Sequence, residues 1–184
     1  MLVGAGGEVD LNACLTGCRE EVIGCSMAQS ATHVLFVCTG NTCRSPMAEG
    51  LFRESVREDG LTVGSAGVAA YDGGEASRET VEILAERGIE LRGFGSRMVD
   101  DRIMAEASHV FCMTHGHLET LEALYPAQRE KLYLVCEFAE SGRRDVPDPI
   151  GGGRGAYEEV ATCLEGAIEG IVGFLRAGDP RVAE

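Results

Sequence analysis

The nine residues Cys38-Thr-Gly-Asn-Thr-Cys-Arg-Ser-Pro46 decide how this chain folds. They follow an apolar run, His33-Val-Leu-Phe-Val37, which predicts a buried strand, and they precede Met47–Val56, whose apolar residues recur at helical spacing. Ser45 suits the position before a helix, and Pro46 suits its first helical position. The stretch therefore predicts a strand–loop–helix hinge. Its backbone N–H groups and the helix N-terminus would face one point, which is a geometry that binds phosphate.

The two ends of this loop add a nucleophile and a cation. Cys38 opens the loop, where N–H donors and a nearby guanidinium favour the thiolate over the thiol. Arg44 can hold two phosphoryl oxygens in a planar fork, which a lysine cannot do. The hydroxyl of Ser45 can donate a hydrogen bond to the Cys38 sulfur, both as an anion and as a leaving group. The pattern predicts a thiolate aimed at phosphorus, with donors placed for the equatorial oxygens.

The remaining loop residues fit the same chemistry. Gly40 allows close backbone approach, and Asn41 tolerates the left-handed conformation of a tight ring. An ordinary turn with a buried cysteine is the alternative, but the residue types all fall where phosphate chemistry requires them. An ATP-type phosphate loop is excluded, because no Lys-Ser or Lys-Thr pair ends the stretch. The expected phosphate-binding residues are Thr39, Gly40, Asn41, Thr42, Cys43, Arg44 and Ser45.

With these residues in place, the sequence resembles the low-molecular-weight protein phosphatases. Val37 through Pro46 match the family pattern V-C-x-G-N-x-C-R-S-P, and the resemblance extends from about Thr32 to about Arg176. It implies a cysteinyl-phosphate mechanism, a compact α/β fold and phosphorylated proteins as substrates. It also implies that Ser65 lies beside the loop and hydrogen-bonds Asn41. From the sequence alone, an ordinary turn serine is the alternative.

Composition and charge limit the class of protein and its partners. The chain has 184 residues, 45% of them hydrophobic and 25% charged, which is enough for one domain with a core. The net charge of −14 argues against nucleic acids and anionic membranes as partners. The sequence shows no membrane-spanning stretch and no signal peptide, and we expect a monomer.

The eight cysteines do not suggest a disulfide framework. Cys38, Cys112 and Cys136 lie in or beside apolar, strand-like runs, and Cys38 must be a free thiol to act. A reducing, cytoplasmic compartment is therefore expected.

The first thirty-one residues carry little information. Three further cysteines lie there, but they lack a paired C-x-x-C spacing and an obvious fourth ligand, so the metal pattern is weak. They are Cys14, Cys18 and Cys25. We expect no metal and no cofactor. Residues 1–31 are interpreted as a flexible extension, 32–178 as the phosphatase domain and 179–184 as a tail.

Beyond the loop, predicted strands alternate with predicted helices. Further strands are predicted at Leu61–Val63, Ser108–Met113 and Lys131–Val135, and the main helices at Ser77–Arg87 and Tyr157–Leu175. This alternation implies a single three-layer α/β domain. Its four-stranded parallel sheet would have the order 2-1-3-4, with the site at the carboxyl ends of the strands.

Two further interpretations concern side chains on these elements. On the helix predicted at Ser77–Arg87, we expect three apolar residues, Val81, Leu84 and Ala85, to face inward. The histidines His109, His115 and His117 are interpreted as surface or structural residues, because a thiolate needs no general base.

A phosphoryl enzyme also needs a proton for its leaving group and then a base for water. The candidate is Asp148, in Asp145-Val-Pro-Asp-Pro-Ile150, because prolines on both sides fix the backbone and remove donors. It matches the general-acid Asp-Pro of the family, so the resemblance implies that role for Asp148. A surface turn is the alternative, and Asp145 is the second choice of acid.

Within the family, the sequence resembles the bacterial protein-arginine phosphatases more closely than the tyrosine phosphatases. Their loop also reads Cys-Thr-Gly-Asn-Thr-Cys-Arg-Ser-Pro, with Thr42 where tyrosine phosphatases often carry a larger aliphatic residue. Asp148-Pro-Ile-Gly-Gly152 follows the arginine pattern, except that Ile150 stands where phenylalanine is usual. Asp148 could accept two hydrogen bonds from a planar guanidinium and protonate its departing nitrogen. Only 5% of the residues are aromatic, whereas a phenyl ring favours aromatic walls.

Three other functions stay open. The first is a phosphotyrosine phosphatase. The second is an arsenate reductase, in which Cys43 or Cys112 would relay electrons to Cys38, but the further relay cysteine expected soon after Cys112 is missing. The third is a phosphoprotein-binding module, which is disfavoured because Cys38, Arg44 and Asp148 occur together.

Cys38 and Cys43 also suggest a redox-sensitive pair that closes to a reversible disulfide.

Overall fold

Four parallel strands form the middle layer of the fold. The computed structural model describes residues 32–140 and 142–178, and the strands within them are β1 (His33–Cys38), β2 (Thr62–Gly67), β3 (His109–Cys112) and β4 (Leu132–Leu134). Their order is β2-β1-β3-β4, with every neighbouring pair parallel. The predicted α/β class and the predicted order 2-1-3-4 are therefore confirmed.

Five α-helices cover the two faces of this sheet in the described part of the chain. They are α1 (Arg44–Ser55), α2 (Arg78–Glu86), α3 (Asp101–Glu106), α4 (His115–Leu124) and α5 (Gly153–Ala177), with short 3-10 helices at Pro126–Lys131 and Val135–Phe138. None of the helices described is long and apolar enough to cross a membrane.

The apolar run of β1 supplies both hydrophobic cores. Val34 and Phe36 point to the face covered by α1, α2 and α5, whereas Leu35 and Val37 point to the face covered by α3 and α4. All four side chains are fully buried. A central parallel strand is buried on both faces, which explains why this segment reads as one continuous apolar run and not as an alternation.

The strand register places the phosphate loop at the carboxyl edge of the sheet. Cys38, the last residue of β1, pairs with Gly67, the last residue of β2. A Cβ atom at Gly67 would overlap the carbonyl oxygen of Thr39, so only glycine allows the two strand ends to approach this closely. The loop that follows Cys38 then leads directly into α1.

Four expectations about helices and side chains are wrong in detail. Helix α1 begins at Arg44 with Cys43 as its N-cap, so Ser45 is its second residue and Pro46 its third, not the N-cap and the first. On α2, Val81 is 46% exposed and Ala85 is also exposed, whereas Thr80, Ile83 and Leu84 are buried.

Ser77 caps α2, because its side chain accepts a hydrogen bond from the Thr80 amide. The inward face is formed by Thr80, Ile83 and Leu84, which lie three and four residues apart. Thr80 donates to the Cys43 carbonyl oxygen and Leu84 lies against Gly50 of α1. Of the three histidines interpreted as surface or structural residues, His109 and His117 are buried and His115 is half-buried.

The predictions for residues 1–31 and for the tail at 179–184 lie outside the described residues, as do Cys14, Cys18 and Cys25. The five cysteines within the described residues are free thiols.

Candidate active site

Asn41 holds the phosphate loop in its ring shape. Its φ of 53° lies in the left-handed region, and its side chain is fully buried. The amide nitrogen Nδ2 donates to Ser45 Oγ at 2.9 Å and to Ser65 Oγ at 2.8 Å, while Oδ1 accepts from the Arg97 backbone N–H at 2.9 Å. The hydrogen bond between Ser65 and Asn41 is the one that the family resemblance implies.

The Cys38 sulfur lies at the base of this ring, buried and surrounded by donors. The backbone N–H of Asn41 donates to Sγ at 3.2 Å, and Ser45 Oγ lies 3.0 Å from it. The Ser45 hydroxyl oxygen accepts from Asn41, and its one proton can go to the sulfur at 3.0 Å or to the Ala66 carbonyl oxygen at 3.3 Å. Hydrogen bonds of this kind favour a charged sulfur over a neutral one.

A buried carboxylate supports the ring from α1. The Ser65 hydroxyl donates to Glu49 Oε2 at 2.5 Å, and Glu49 also forms an ion pair with Arg53. Since Ser65 donates to Glu49, its oxygen must accept from Asn41, and this fixes the direction of the chain of hydrogen bonds. Sequence reasoning missed Glu49. The available signal was a glutamate among the apolar residues of the helix predicted at Met47–Val56.

Arg44 joins the loop to Asp148. Its guanidinium Nη2 donates to Asp148 Oδ2 at 3.0 Å, and the side chain of Arg44 is 6% exposed whereas that of Asp148 is 54% exposed. The other carboxylate oxygen of Asp148 accepts the Ile150 backbone N–H at 3.2 Å. The structure therefore brings the predicted cation and the predicted acid together at the mouth of the loop.

Asp145, the second choice of acid, is committed elsewhere. Its Oδ1 accepts from both the backbone N–H and the ring Nδ1 of His115, each at 2.8 Å. Partial burial raises the pKa of the Asp145 carboxyl, but the hydrogen bonds from His115 outweigh this and hold the pKa below its ordinary value. The contacts of Asp145 tie it to the start of α4, and those of Asp148 tie it to the phosphate loop.

His117 contacts the loop directly, which sequence reasoning did not foresee. Its Nε2 lies 2.8 Å from Thr39 Oγ1, and its Nδ1 lies 2.9 Å from Thr114 Oγ1, the N-cap hydroxyl of α4. Burial, and then the positive charge of Arg44, lower the pKa of His117 to about 4. The ring is therefore neutral near pH 7, with one nitrogen donating and the other accepting.

The two residues expected to set specificity differ in their exposure. Thr42 is half-buried in the middle of the loop, and its carbonyl oxygen accepts the Ser77 backbone N–H at 2.8 Å. Ile150 is 70% exposed, two residues beyond Asp148. Both lie on segments that contain or flank a predicted catalytic residue.

The positions of the other cysteines do not favour an electron relay to Cys38. Cys112 is fully buried and belongs to the core on the α3 and α4 face, whereas Cys38 belongs to the opposite face. Burial raises the pKa of the Cys112 thiol. Cys43 is buried with its sulfur 3.3 Å from the hydroxyl of Tyr157. These placements argue against the arsenate reductase alternative.

Comparisons with known proteins agree with this arrangement. The family model described as "Low molecular weight phosphotyrosine protein phosphatase" matches residues 33–179. A protein-arginine-phosphatase of Bacillus subtilis is 39% identical over 78% of this chain and 96% of its own. A low molecular weight protein-tyrosine-phosphatase of Streptomyces coelicolor is 37% identical over 78% of this chain and 93% of its own.

One solved structure bears on the chemistry as well as on the fold. It is a cysteine-to-serine mutant of the YwlE arginine phosphatase with a phosphorylated active site serine. It is similar to this chain with a TM-score of 0.74 and 35% identity, over 82% of this chain and 99% of that one. The chain therefore belongs to the low molecular weight phosphotyrosine protein phosphatase family, and it is a cysteine-dependent phosphatase.

Proposed function

We propose that this enzyme removes phosphate from phosphoarginine in proteins, through a phosphocysteine intermediate on Cys38. The observation that carries the proposal is the contact between Asp148 and Arg44, in which a half-exposed carboxylate accepts a hydrogen bond from a guanidinium beside the phosphate loop. When Arg44 turns to phosphoryl oxygens, Asp148 is free to accept the guanidinium N–H groups of a phosphoarginine.

The reaction proceeds in two steps. In the first, the Cys38 thiolate attacks phosphorus, so that an S–P bond forms and the P–N bond breaks, while Asp148 gives a proton to the departing guanidine nitrogen. In the second, the Asp148 carboxylate takes a proton from water, which attacks phosphorus, breaks the S–P bond and releases phosphate. The loop N–H groups and Arg44 stabilise the charge on the equatorial oxygens in both steps.

The variant Cys38→Ser tests the nucleophile. It should still bind phosphate, because the ring of donors is unchanged, but turnover should fall by several orders of magnitude. The relative whose active site serine is phosphorylated supports this expectation. Rapid-quench labelling of the wild type with a ³²P-substrate, followed by peptide mapping, should place the phosphate on Cys38. Phosphate on any other residue contradicts the assignment.

Overall identity does not choose between arginine and tyrosine, because relatives with each activity are 39% and 37% identical to this chain. The choice therefore rests on local residues, and Thr42 is the one we propose as the filter. Its short, partly polar side chain leaves room for a planar guanidinium and can hydrogen-bond to it. Isoleucine at this position would add apolar contact for a phenyl ring and remove the hydroxyl.

The experiment compares kcat/KM on matched phosphoarginine, phosphotyrosine and phosphoserine peptides, for the wild type and for Thr42→Ile. The wild type should prefer phosphoarginine. Thr42→Ile should raise the phosphotyrosine to phosphoarginine ratio at least about tenfold, or about 1.4 kcal/mol of differential transition-state binding. The control is Thr162→Ile, an exposed position on α5, which should leave the ratio unchanged.

A phosphotyrosine phosphatase is the second candidate, and one observation favours it. Tyr71 is 90% exposed on the loop after β2, and this loop is hydrogen-bonded at both ends to the phosphate loop: Ala69 N–H donates to Thr39 O, and Ser77 N–H to Thr42 O. Tyr71 and the exposed Ile150 could supply apolar walls for a phenyl ring. If the wild type prefers phosphotyrosine, the arginine proposal is wrong, while the role of Cys38 stands.

A further inference from the structure

Two thiols that the phosphatase chemistry does not use lie against each other between α5 and the 3-10 helix Val135–Phe138. Cys136 is in the 3-10 helix and Cys163 is in α5, where Cys163 packs against the core cluster that contains Cys136, and the two thiols perturb each other's pKa. The two elements pack so closely that a Cβ at Gly170 of α5 would overlap the carbonyl oxygen of Phe138. The two cysteines therefore lie on closely packed neighbouring elements, at the same core cluster.

The two thiols differ in their surroundings. Cys136 is buried, whereas Cys163 is half-exposed. The hydrogen bond from Cys136, and then the positive charge of Arg143, lower the pKa of Cys163 to about 7, while the same hydrogen bond and burial raise the pKa of Cys136. Cys163, which is exposed to the groove and has the lowered pKa, is thus the thiol that an oxidant reaches first, and Cys136 is the buried neighbour behind it.

Cys163 also opens into a groove that a small oxidant can enter. The groove has a volume of about 460 Å³, and its charged lining consists of Glu140, Arg143, Glu159 and Glu169. Arg143 forms an ion pair with Glu159 at 2.6 Å. Three carboxylates against one guanidinium disfavour anionic oxidants such as glutathione disulfide, whereas an uncharged peroxide meets no such barrier.

We propose that Cys163 and Cys136 form a second redox-active pair, which hydrogen peroxide oxidises to a disulfide between α5 and the 3-10 helix. The Cys163 thiolate attacks one peroxide oxygen, so that an S–O bond forms, the O–O bond breaks and hydroxide leaves to become water. The Cys136 sulfur then attacks the sulfenic acid, an S–S bond forms, and the S–O bond breaks with loss of a second water. Two thiols and one peroxide give one disulfide and two waters.

The position of the pair gives the disulfide a structural consequence. The segment between Cys136 and Cys163 contains the loop that carries Asp145 and Asp148. A bond between the two cysteines closes this segment into a ring and restricts the unfolded chain. Oxidation should therefore raise the thermal midpoint by several degrees, and a reductant should reverse the shift.

The test treats the full chain with hydrogen peroxide, blocks the remaining thiols and maps the tryptic peptides without reduction. Leu132–Arg143 and Gly155–Arg176 should appear joined, with the loss of two hydrogen atoms. Cys112 is the internal control, because it is fully buried and should be found reduced. The proposal is wrong if Cys163 stays a free thiol, becomes sulfinic or sulfonic acid while Cys136 stays free, or pairs with any other cysteine.

Two variants separate the steps. Cys163→Ser should keep phosphatase activity and leave Cys136 reduced under peroxide. Cys136→Ser should accumulate the sulfenic acid at Cys163, which dimedone traps. Dimedone on Cys136 in the Cys163→Ser protein would reverse the assigned roles and overturn the proposal. If Cys136→Ser fails to fold, the peptide map of the wild type and that of Cys163→Ser still decide.

Discussion

Asn41 is the residue on which the geometry of the phosphate loop depends most directly. It is one side chain with three hydrogen bonds, to Ser45, Ser65 and the backbone of Arg97, and it occupies the left-handed region that other bulky residues avoid. Its partners come from three segments: α1, β2 and the segment around Arg97 between α2 and α3. Asn41 therefore joins these three segments at one point. The donors that face phosphate are rigid because this residue is fully satisfied.

At the same scale, Asp148 and Asp145 provide a matched pair for testing the general acid. Asp148→Asn should slow phosphoryl transfer by about 10²–10⁴-fold, because the leaving group loses its proton donor. Asp145→Asn should have a smaller effect, because its hydrogen bonds go to His115. The measurement is kcat on a phosphoarginine peptide. If Asp145→Asn does more harm than Asp148→Asn, the acid has been assigned to the wrong residue.

A second readout strengthens this test. An aryl phosphate with a good leaving group needs little protonation, so the loss caused by Asp148→Asn should be smaller on that substrate. An equal loss on both substrates would show that Asp148 acts through binding or structure and not as an acid.

Cys38 and Cys43 lead to a prediction about reversible oxidation. A reactive thiol with a neighbouring thiol forms a disulfide in preference to higher oxides. After treatment with excess peroxide, the wild type should therefore regain activity with dithiothreitol, whereas Cys38 of Cys43→Ser should pass beyond the sulfenic acid to sulfinic or sulfonic acid and should not recover. Because the Cys43 sulfur contacts the Tyr157 hydroxyl, Tyr157→Phe should also change the rate at which the disulfide between Cys38 and Cys43 forms. The control is Cys163→Ser, which should recover like the wild type; recovery of Cys43→Ser would contradict the prediction.

At the scale of elements, the close packing of α5 against the 3-10 helix limits the size of the side chains that one face of α5 can carry. Gly170 lies where the backbone of Phe138 approaches, so Gly170→Ala must push the 3-10 helix away and should lower the free energy of unfolding by about 1–3 kcal/mol. Gly173 is exposed on the same helix, and a Cβ atom added there meets no other atom within 4 Å. Gly173→Ala should therefore raise the free energy of unfolding by up to about 1 kcal/mol. Urea unfolding measures both changes.

The direction of the change in the free energy of unfolding decides this comparison. Both variants make the same chemical change in the same helix, so helix propensity alone predicts the same direction for both. Equal stabilisation of the two variants would show that the contact between α5 and Phe138 is loose. It would also weaken the argument that Cys136 and Cys163 lie on closely packed elements.

Helix α2 shows why patterns in short elements mislead. It has only nine residues, and its apolar residues Val81 and Ala85 are exposed while the polar Thr80 is buried. Thr80 is satisfied by donating its hydroxyl to the Cys43 carbonyl at 3.3 Å, a partner that lies far away in the sequence. A local apolar pattern contains no information about such a partner, so Val81 and Ala85 were wrongly predicted to face inward, whereas Leu84 is buried as predicted.

At the scale of the whole molecule, the sequence predicts the topology better than the surroundings of the site. Buried strands are recognisable as continuous apolar runs, their alternation with helices predicts a parallel sheet, and the order 2-1-3-4 is one that doubly wound folds of this kind adopt. The loop from Cys38 to Pro46 is recognisable because it is contiguous. Glu49, Arg97 and His117 were missed because each comes from a different segment, and only the completed fold brings them to Asn41, Ser65 or Thr39.

His117 ties the stability of the whole molecule to pH. Its pKa is about 4 in the folded protein, whereas an exposed histidine in the unfolded chain titrates near the ordinary value of 6.5. Between these values the unfolded chain binds more protons than the folded one, so the free energy of unfolding rises with pH. The stabilisation from neutral His117 is therefore complete above pH 6.5 and is lost as the pH falls toward 4.

Replacing the ring removes this contribution, and the pH dependence identifies it. In urea unfolding, the difference between the wild type and His117→Gln should shrink as the pH falls from 7.5 to 4.5, by up to about 1.4 kcal/mol per pH unit below 6.5. His33, whose pKa burial also lowers, is present in both proteins and cancels. The control is Leu121→Val on α4, which destabilises without titrating, so its difference from the wild type should not change with pH. A difference for His117→Gln that is also constant across this range would mean that His117 is protonated alike in both states, and that its contacts with Thr39 and Thr114 do not depend on a neutral ring.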